Sequence, residues 1–263
     1  MNLFLARIRL GLLTAAAWLT LSSTATANAI MDRLSASTSR PGLECTQDGL
    51  WCVSNGGTHM SVLSRTADGK LAERARLPLE NDEDLRSESS PWQTIVRSRQ
   101  NGRPEQVLVG IKRRQSESYS GGGGSLTELQ LFSIGASRNA ATAGVSAPLE
   151  SSFMIRACFT PEDEKSRRGA CHDEYHFAGE LNLAKSRRSG EVSLLFKGRA
   201  ETYPGRRNRM DDSSMEPPLR KSDLVWALDA DCTFQRYIRW SPSTGALTWS
   251  RPLPSCESFL QLQ

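Results

Sequence analysis

Six cysteines are the residues of this 263-residue chain whose type and spacing constrain chemistry most: Cys45, Cys52, Cys158, Cys171, Cys232 and Cys256. Thiolates ligate metals, attack as nucleophiles or oxidise in pairs. Thiolate metal ligation favours C-x-x-C spacing or clustered histidines, and no C-x-x-C occurs here. Turn chemistry instead selects one set of pairs. Asp48-Gly49 lies midway between Cys45 and Cys52 and is a two-residue hairpin signal, because both residues tolerate positive φ. The midpoint of Cys232 and Cys256 falls in Ser241–Gly245, between TFQRYIRW and ALTWS. Cys158 and Cys171 bracket the polar segment TPEDEKSRRGA. Cross-strand placement meets the Cα separation a disulfide requires, so three local disulfides are expected and no thiol remains as a nucleophile.

Other candidates are weighed beside these. His172-Asp-Glu-Tyr-His176 is the metal candidate, superficially similar to the helical H-E-x-x-H zinc motif. Here Asp173 stands where that motif needs Glu, and the segment leads into the strand-like YHFAGELNL. Tyr119, Gly121, Gly122, Gly123 and Gly124 form a ligand candidate, because bare backbone N–H groups can cradle an anion. Arg206, Arg207 and Arg209, with the runs at 165–168 and 185–188, are candidates for an anion-binding loop surface. The acid pairs Asp211-Asp212 and Asp229-x-Asp231 carry the hydrolase alternative. A Gly-x-Ser-x-Gly elbow is not present, His59 has no evident partner, and no catalytic residue or cofactor is assigned.

The N-terminus explains the cysteine usage. Arg7 and Arg9 precede an apolar run from Leu10 to Leu21, followed by two small-x-small sites, Ala25-Thr-Ala27 and Ala27-Asn-Ala29. This pattern predicts a cleavable Sec-type signal peptide over residues 1–29. The run is short for a membrane span, and the first cysteine, Cys45, is too distant for a lipoprotein anchor. No Asn-x-Ser/Thr site occurs, which favours a bacterial periplasm or secretion from a bacterium. The formal charge is +4, and the signal carries two of its arginines. So mild an excess gives no reason to expect nucleic acid.

The elements that must hold these residues read as strands. Asp48-Gly49, Asp68-Gly69 and Asn101-Gly102 are hairpin turns. Alternation through Leu129 and Leu131, Phe153 to Phe159, Tyr175 to Leu183, Val192 to Phe196, and Leu224, Trp226 and Leu228 argues half-buried strands. Residues 30–42 read as a flexible lead-in, 79–91 as a polar connection, 135–148 as a loop, and 203–222 as a long charged loop. No stretch combines helical periodicity with caps. The expected fold is all-β, a single domain over 43–263: an antiparallel sandwich or barrel of about ten short strands, with a small propeller as the alternative. The expected function is a soluble, exported β-domain that binds a protein or an anionic envelope component. A glycan-processing envelope hydrolase is the alternative, and a metal-binding protein through His172 and His176 is the second.

Overall fold

The computed structural model describes residues 28–37, 40–80, 86–99, 105–135, 141–186, 190–212 and 216–262. The strands are β1 (Asn28–Arg33), β2 (Ser35–Ala36), β3 (Leu43–Cys45), β4 (Trp51–Asn55), β5 (His59–Arg65), β6 (Leu71–Pro78), β7 (Ser87–Pro91) and β8 (Thr94–Arg99). They continue with β9 (Gln106–Tyr119), β10 (Gly122–Gly135), β11 (Ala141–Arg156), β12 (His172–Ala184), β13 (Val192–Tyr203), β14 (Ala227–Ser241) and β15 (Ala246–Trp249). Among the described residues the α-helices are short: α1 (Pro161–Ser166) lies between β11 and β12, and α2 (Glu257–Leu260) follows β15.

All strand pairs are antiparallel. One sheet of ten strands runs β1-β8-β9-β10-β11-β12-β13-β14-β15, with β7 also on β9. A second, of five strands, runs β2 to β6 in order. The fold is sandwich-like rather than a closed barrel, because β1 and β15 remain as sheet edges.

The stretches 95–98 of β8, 107–111 of β9 and 131–134 of β10 are buried on both faces, and the apolar residues of β9 and β10 there are consecutive for that reason. Val96, Leu108, Leu129 and Leu131 join the main core with Phe177, Phe196, Ile238 and Trp240. The intervening Ile95, Val107, Val109, Phe132 and Ile134 face the smaller sheet and pack with Trp51, Met60, Val62 and Leu77. The large sheet bends over its own core. Trp240 on β14 donates its indole N–H to Ser133 Oγ on β10 at 3.0 Å.

The three disulfides pair as the turn positions predict: Cys45–Cys52, Cys158–Cys171 and Cys232–Cys256. Cys45 faces Cys52 directly across β3 and β4. Strand length differs from expectation, since β9 to β14 run 12 to 16 residues. Residues 30–42 are not simply a lead-in: β1 pairs with β8 along its whole length. The polar connection contains β7, paired to β9 through Ser87 to Pro91. The loop expected over 135–148 is β11 from Ala141 onward. Its small residues hid the strand. They are small because β15 crosses there, and a Cβ on Gly144 would lie 2.2 Å from the Leu247 side chain. The expected signal peptide through residue 27 and the Asn101-Gly102 turn lie outside the described residues.

Candidate functional site

The outer face of the large sheet carries the most chemistry. Register places residues in rows across β11, β12 and β13. Glu150 faces Ala178, which faces Arg199. Ser152 faces His176, which faces Glu201 and then Leu228 on β14. Met154 faces Glu174, which faces Tyr203. Neighbours in such rows sit close enough to act together.

A groove of about 500 Å³ opens on this face, lined by residues that include Glu150, Ser152, His176, Arg199 and Glu201. It lies where β11 and β12 part company, since their pairing ends at Glu150 opposite Ala178. Aromatic rings adjoin it through His176. Trp226 stacks on His176 with ring centroids 4.5 Å apart and lies 5.6 Å from the Tyr203 ring. The Gly205 N–H donates to the Val225 carbonyl at 2.8 Å and holds the Trp226 segment beside the end of β13. Arg199 pairs with Glu201, and Glu174 approaches His176 Nε2 at 3.9 Å.

Trp226 and Leu228 look like core residues in the sequence, yet they are 43% and 42% exposed. A bulge in β14 is the reason. Gly198 faces Phe234 but Ala200 faces Asp229, so β14 loops out between them. Asp229 organises the excursion by accepting the N–H groups of Asp231 and Cys232 at 3.0 and 2.9 Å. Beyond the bulge the even-numbered Phe234, Ile238 and Trp240 face the core. Before it the phase is inverted and Leu228 faces outward. The Asp-x-Asp-Cys segment is the one sequence signal of this flip.

The residues singled out from sequence are scattered relative to this groove. His176 lines it; His172 is on the same exposed face of β12, but about 13 Å further along the strand. Among the described residues no group of three or more His, Cys, Asp or Glu side chains is placed to hold a metal ion. Of the acid pairs, neither Asp229 with Asp231 nor Asp211 with Asp212 lines the groove.

The glycine run is not an open cradle. Gly122 to Gly124 belong to β10 and pair on both sides, with β9 and with β11. A Cβ on Gly124 would lie 2.0 Å from the Phe153 ring, and one on Gly122 would lie 2.0 Å from the Met154 carbonyl oxygen. The glycines therefore make room for β11. Tyr119 stands at the end of the same hairpin and is exposed.

The arginines do not form one basic surface either. Arg206 is exposed, but Arg207 pairs with Glu216 and donates to the Pro204 carbonyl at 3.0 Å. Arg209 is buried, lies 4.0 Å over the Phe153 ring, and donates to the carbonyls of Glu257 and Gln261 around α2. Burial pulls its pKa down, against the opposing charge of Glu117. Arg167 is buried against Asp173, and Arg168 donates to the Leu219 carbonyl at 2.7 Å. These guanidiniums tie the 203–222 segment to the α1 disulfide loop and to the C-terminal helix. Arg187 and Arg188 lie outside the described residues.

No family model, curated protein or solved structure matches the chain. Among the described residues no helix is long and apolar enough to cross a membrane.

Proposed function

We propose that this is an exported binding domain whose ligand face is the outer surface of β11 to β14 around His176. The observation that carries the reading is the groove lined by Glu150, His176 and Glu201, with Trp226 stacked on His176 and Tyr203 beside Trp226. Concave sites with a few convergent polar groups are the usual places for ligands. Exposed tryptophan and tyrosine combine apolar contact area with a polar handle, as recognition surfaces require. Met154, Val225 and Leu228 extend the exposed apolar surface near these rings, and contiguous patches of this kind mark interaction sites.

The paired cysteines support an oxidising compartment, and the N-terminal sequence supports export across a bacterial inner membrane. The acids that carried the hydrolase alternative do not converge with His176, so binding is the better-supported reading. The test is capture of an envelope component by the tagged mature protein, run in parallel with Trp226→Ala and His176→Ala. Capture lost in both folded variants supports the face. Capture that survives both moves the site elsewhere.

A further inference from the structure

We infer that the occupant of this groove is a basic, extended polypeptide segment of a partner protein, with a lysine or arginine side chain seated against Trp226 and the neighbouring carboxylates. The inference rests on the proposed binding face and adds the chemistry of its ligand.

The charge of the groove decides the sign. Glu150, Glu174 and Glu201 stand within two residue rows of His176, and Arg199 is the basic side chain among them. Arg199 is already engaged by Glu201 and Glu174 lies 3.9 Å from His176 Nε2, so Glu150, with Glu174 beside His176, supplies the charge that compensates an incoming cation. The next cross-strand pair, Glu180 opposite Lys197, is balanced. An anionic ligand would meet this local excess of carboxylate, while the arginines expected to receive it are turned inward at Arg207 and Arg209.

The aromatic rings beside the groove point the same way. A guanidinium or ammonium over an indole or phenol face gains a cation–π interaction, strongest for tryptophan. Trp226 is tilted 32° to the His176 ring and remains 43% exposed, so part of its surface is open to a ligand. Carboxylates flanking an open aromatic ring suit a cation with an apolar stem, which describes lysine and arginine side chains. Leu228 and Met154, both exposed, offer apolar contact to the residues on either side of the cation.

The attraction is local. The whole chain is net positive, so a basic peptide gains nothing from the overall field of the protein and must find this acidic face to bind. That separates a specific site from general charge attraction.

The experiment uses the mature protein and three probes: a lysine-rich ten-residue peptide, a glutamate-rich peptide of equal length, and a neutral chitin oligosaccharide. Binding is followed by calorimetry and by tryptophan fluorescence. The expected result is that the lysine peptide alone binds. Trp226→Ala and the pair Glu150→Gln with Glu174→Gln each weaken it by about tenfold or more, and added salt weakens it further. Circular dichroism confirms that the variants are folded. Binding of the oligosaccharide or the acidic peptide, abolished by Trp226→Ala, overturns the cationic ligand while leaving the face in place. Binding of the lysine peptide that ignores all three substitutions overturns it as well. No binding of any probe to this face overturns the inference, and envelope capture that survives Trp226→Ala removes the face itself.

Discussion

Arg97 Nη1 donates to Asp48 Oδ2 at 2.6 Å, joining a buried residue of the central layer to the turn of the Cys45–Cys52 hairpin. Burial alone would raise the Asp48 pKa. Hydrogen bonds from Thr46 and Arg97 and the Leu50 N–H outweigh it and hold the carboxyl at about 2, against an ordinary 3.8. A carboxyl whose folded pKa is depressed stabilises the fold above its unfolded pKa and loses that contribution as pH falls through the folded value. Stability should therefore decline between about pH 4 and pH 2. Urea midpoints measured across this range should fall less steeply in Asp48→Asn than in the parent. Equal slopes would remove Asp48 from the acid transition.

The same guanidinium also lies 2.6 Å from Asp32 on β1 and 3.8 Å from Glu105, whose carboxylate accepts the Trp51 indole N–H at 2.8 Å. Arg97→Met removes the cation that Asp32, Asp48 and Glu105 share. Breaking a buried ion pair from one side costs roughly 3 kcal/mol. Adding Asp32→Asn, Asp48→Asn and Glu105→Gln to Arg97→Met should recover much of the loss. A single variant as stable as the parent would show that the cluster contributes nothing.

Phe153 is almost wholly buried between Arg209 and β10, and Gly124 is the residue that admits its ring. Gly124→Ala should destabilise by about 1–3 kcal/mol through overpacking. Gly121 meets only ordinary contacts from the Tyr119 ring at 3.8 Å, so Gly121→Ala should stay within about 0.5 kcal/mol. Thermal denaturation of the two variants distinguishes a packing role from a flexible connection, in which the two would behave alike.

The disulfides and the strand-rich class were legible because turn residues and alternation are local signals. Asp48-Gly49 places Cys45 opposite Cys52 with no knowledge of the rest of the chain. Strand β7 was not legible, because Ser87 and Ser89 gain their strand conformation from Gln115 and Arg113, far away in sequence. The first half of β11 was not legible because its residues are small and do not alternate, although Ala141 pairs with the nearby Ile134. The groove was hidden for a different reason. Leu224, Trp226 and Leu228 alternate as a buried strand does, and only the bulge organised by Asp229 inverts the phase. Arg209 looked like surface charge because its acceptors, the carbonyls of Glu257 and Gln261 around α2, lie 48 and 52 residues further along the chain.

The Cys232–Cys256 disulfide closes a separation of 24 residues and fixes the start of α2 beside β14. Phe259, the next turn along, is buried in the main core, and Ser151 on β11 donates to its carbonyl. Loop-closure entropy gives this bridge roughly 3 kcal/mol. Cys232→Ser with Cys256→Ser should lower the denaturation midpoint accordingly. It should also raise hydrogen exchange in residues 253–262 before the rest of the chain. Exchange that rises uniformly would mean that α2 is held by Arg209 and Phe259 without help from the bridge.

Of the two small-x-small sites expected to end a signal peptide, cleavage after Ala27 is the one that would leave β1 whole. β1 begins at Asn28, which pairs with Arg99, and Ala29 pairs with Ser98 and packs against the main core. Cleavage after Ala29 would delete both pairs and leave Asp32, a partner of Arg97, within three residues of a free and fraying end. The exported protein should therefore start at Asn28, as read by intact mass and N-terminal sequencing. A protein engineered to start at Ile30 should lose about 1 kcal/mol of stability and show faster exchange at Asp32 and Arg97. A natural N-terminus at Ile30 would contradict the assignment, and an intact Met1 in the exported protein would contradict the signal peptide itself.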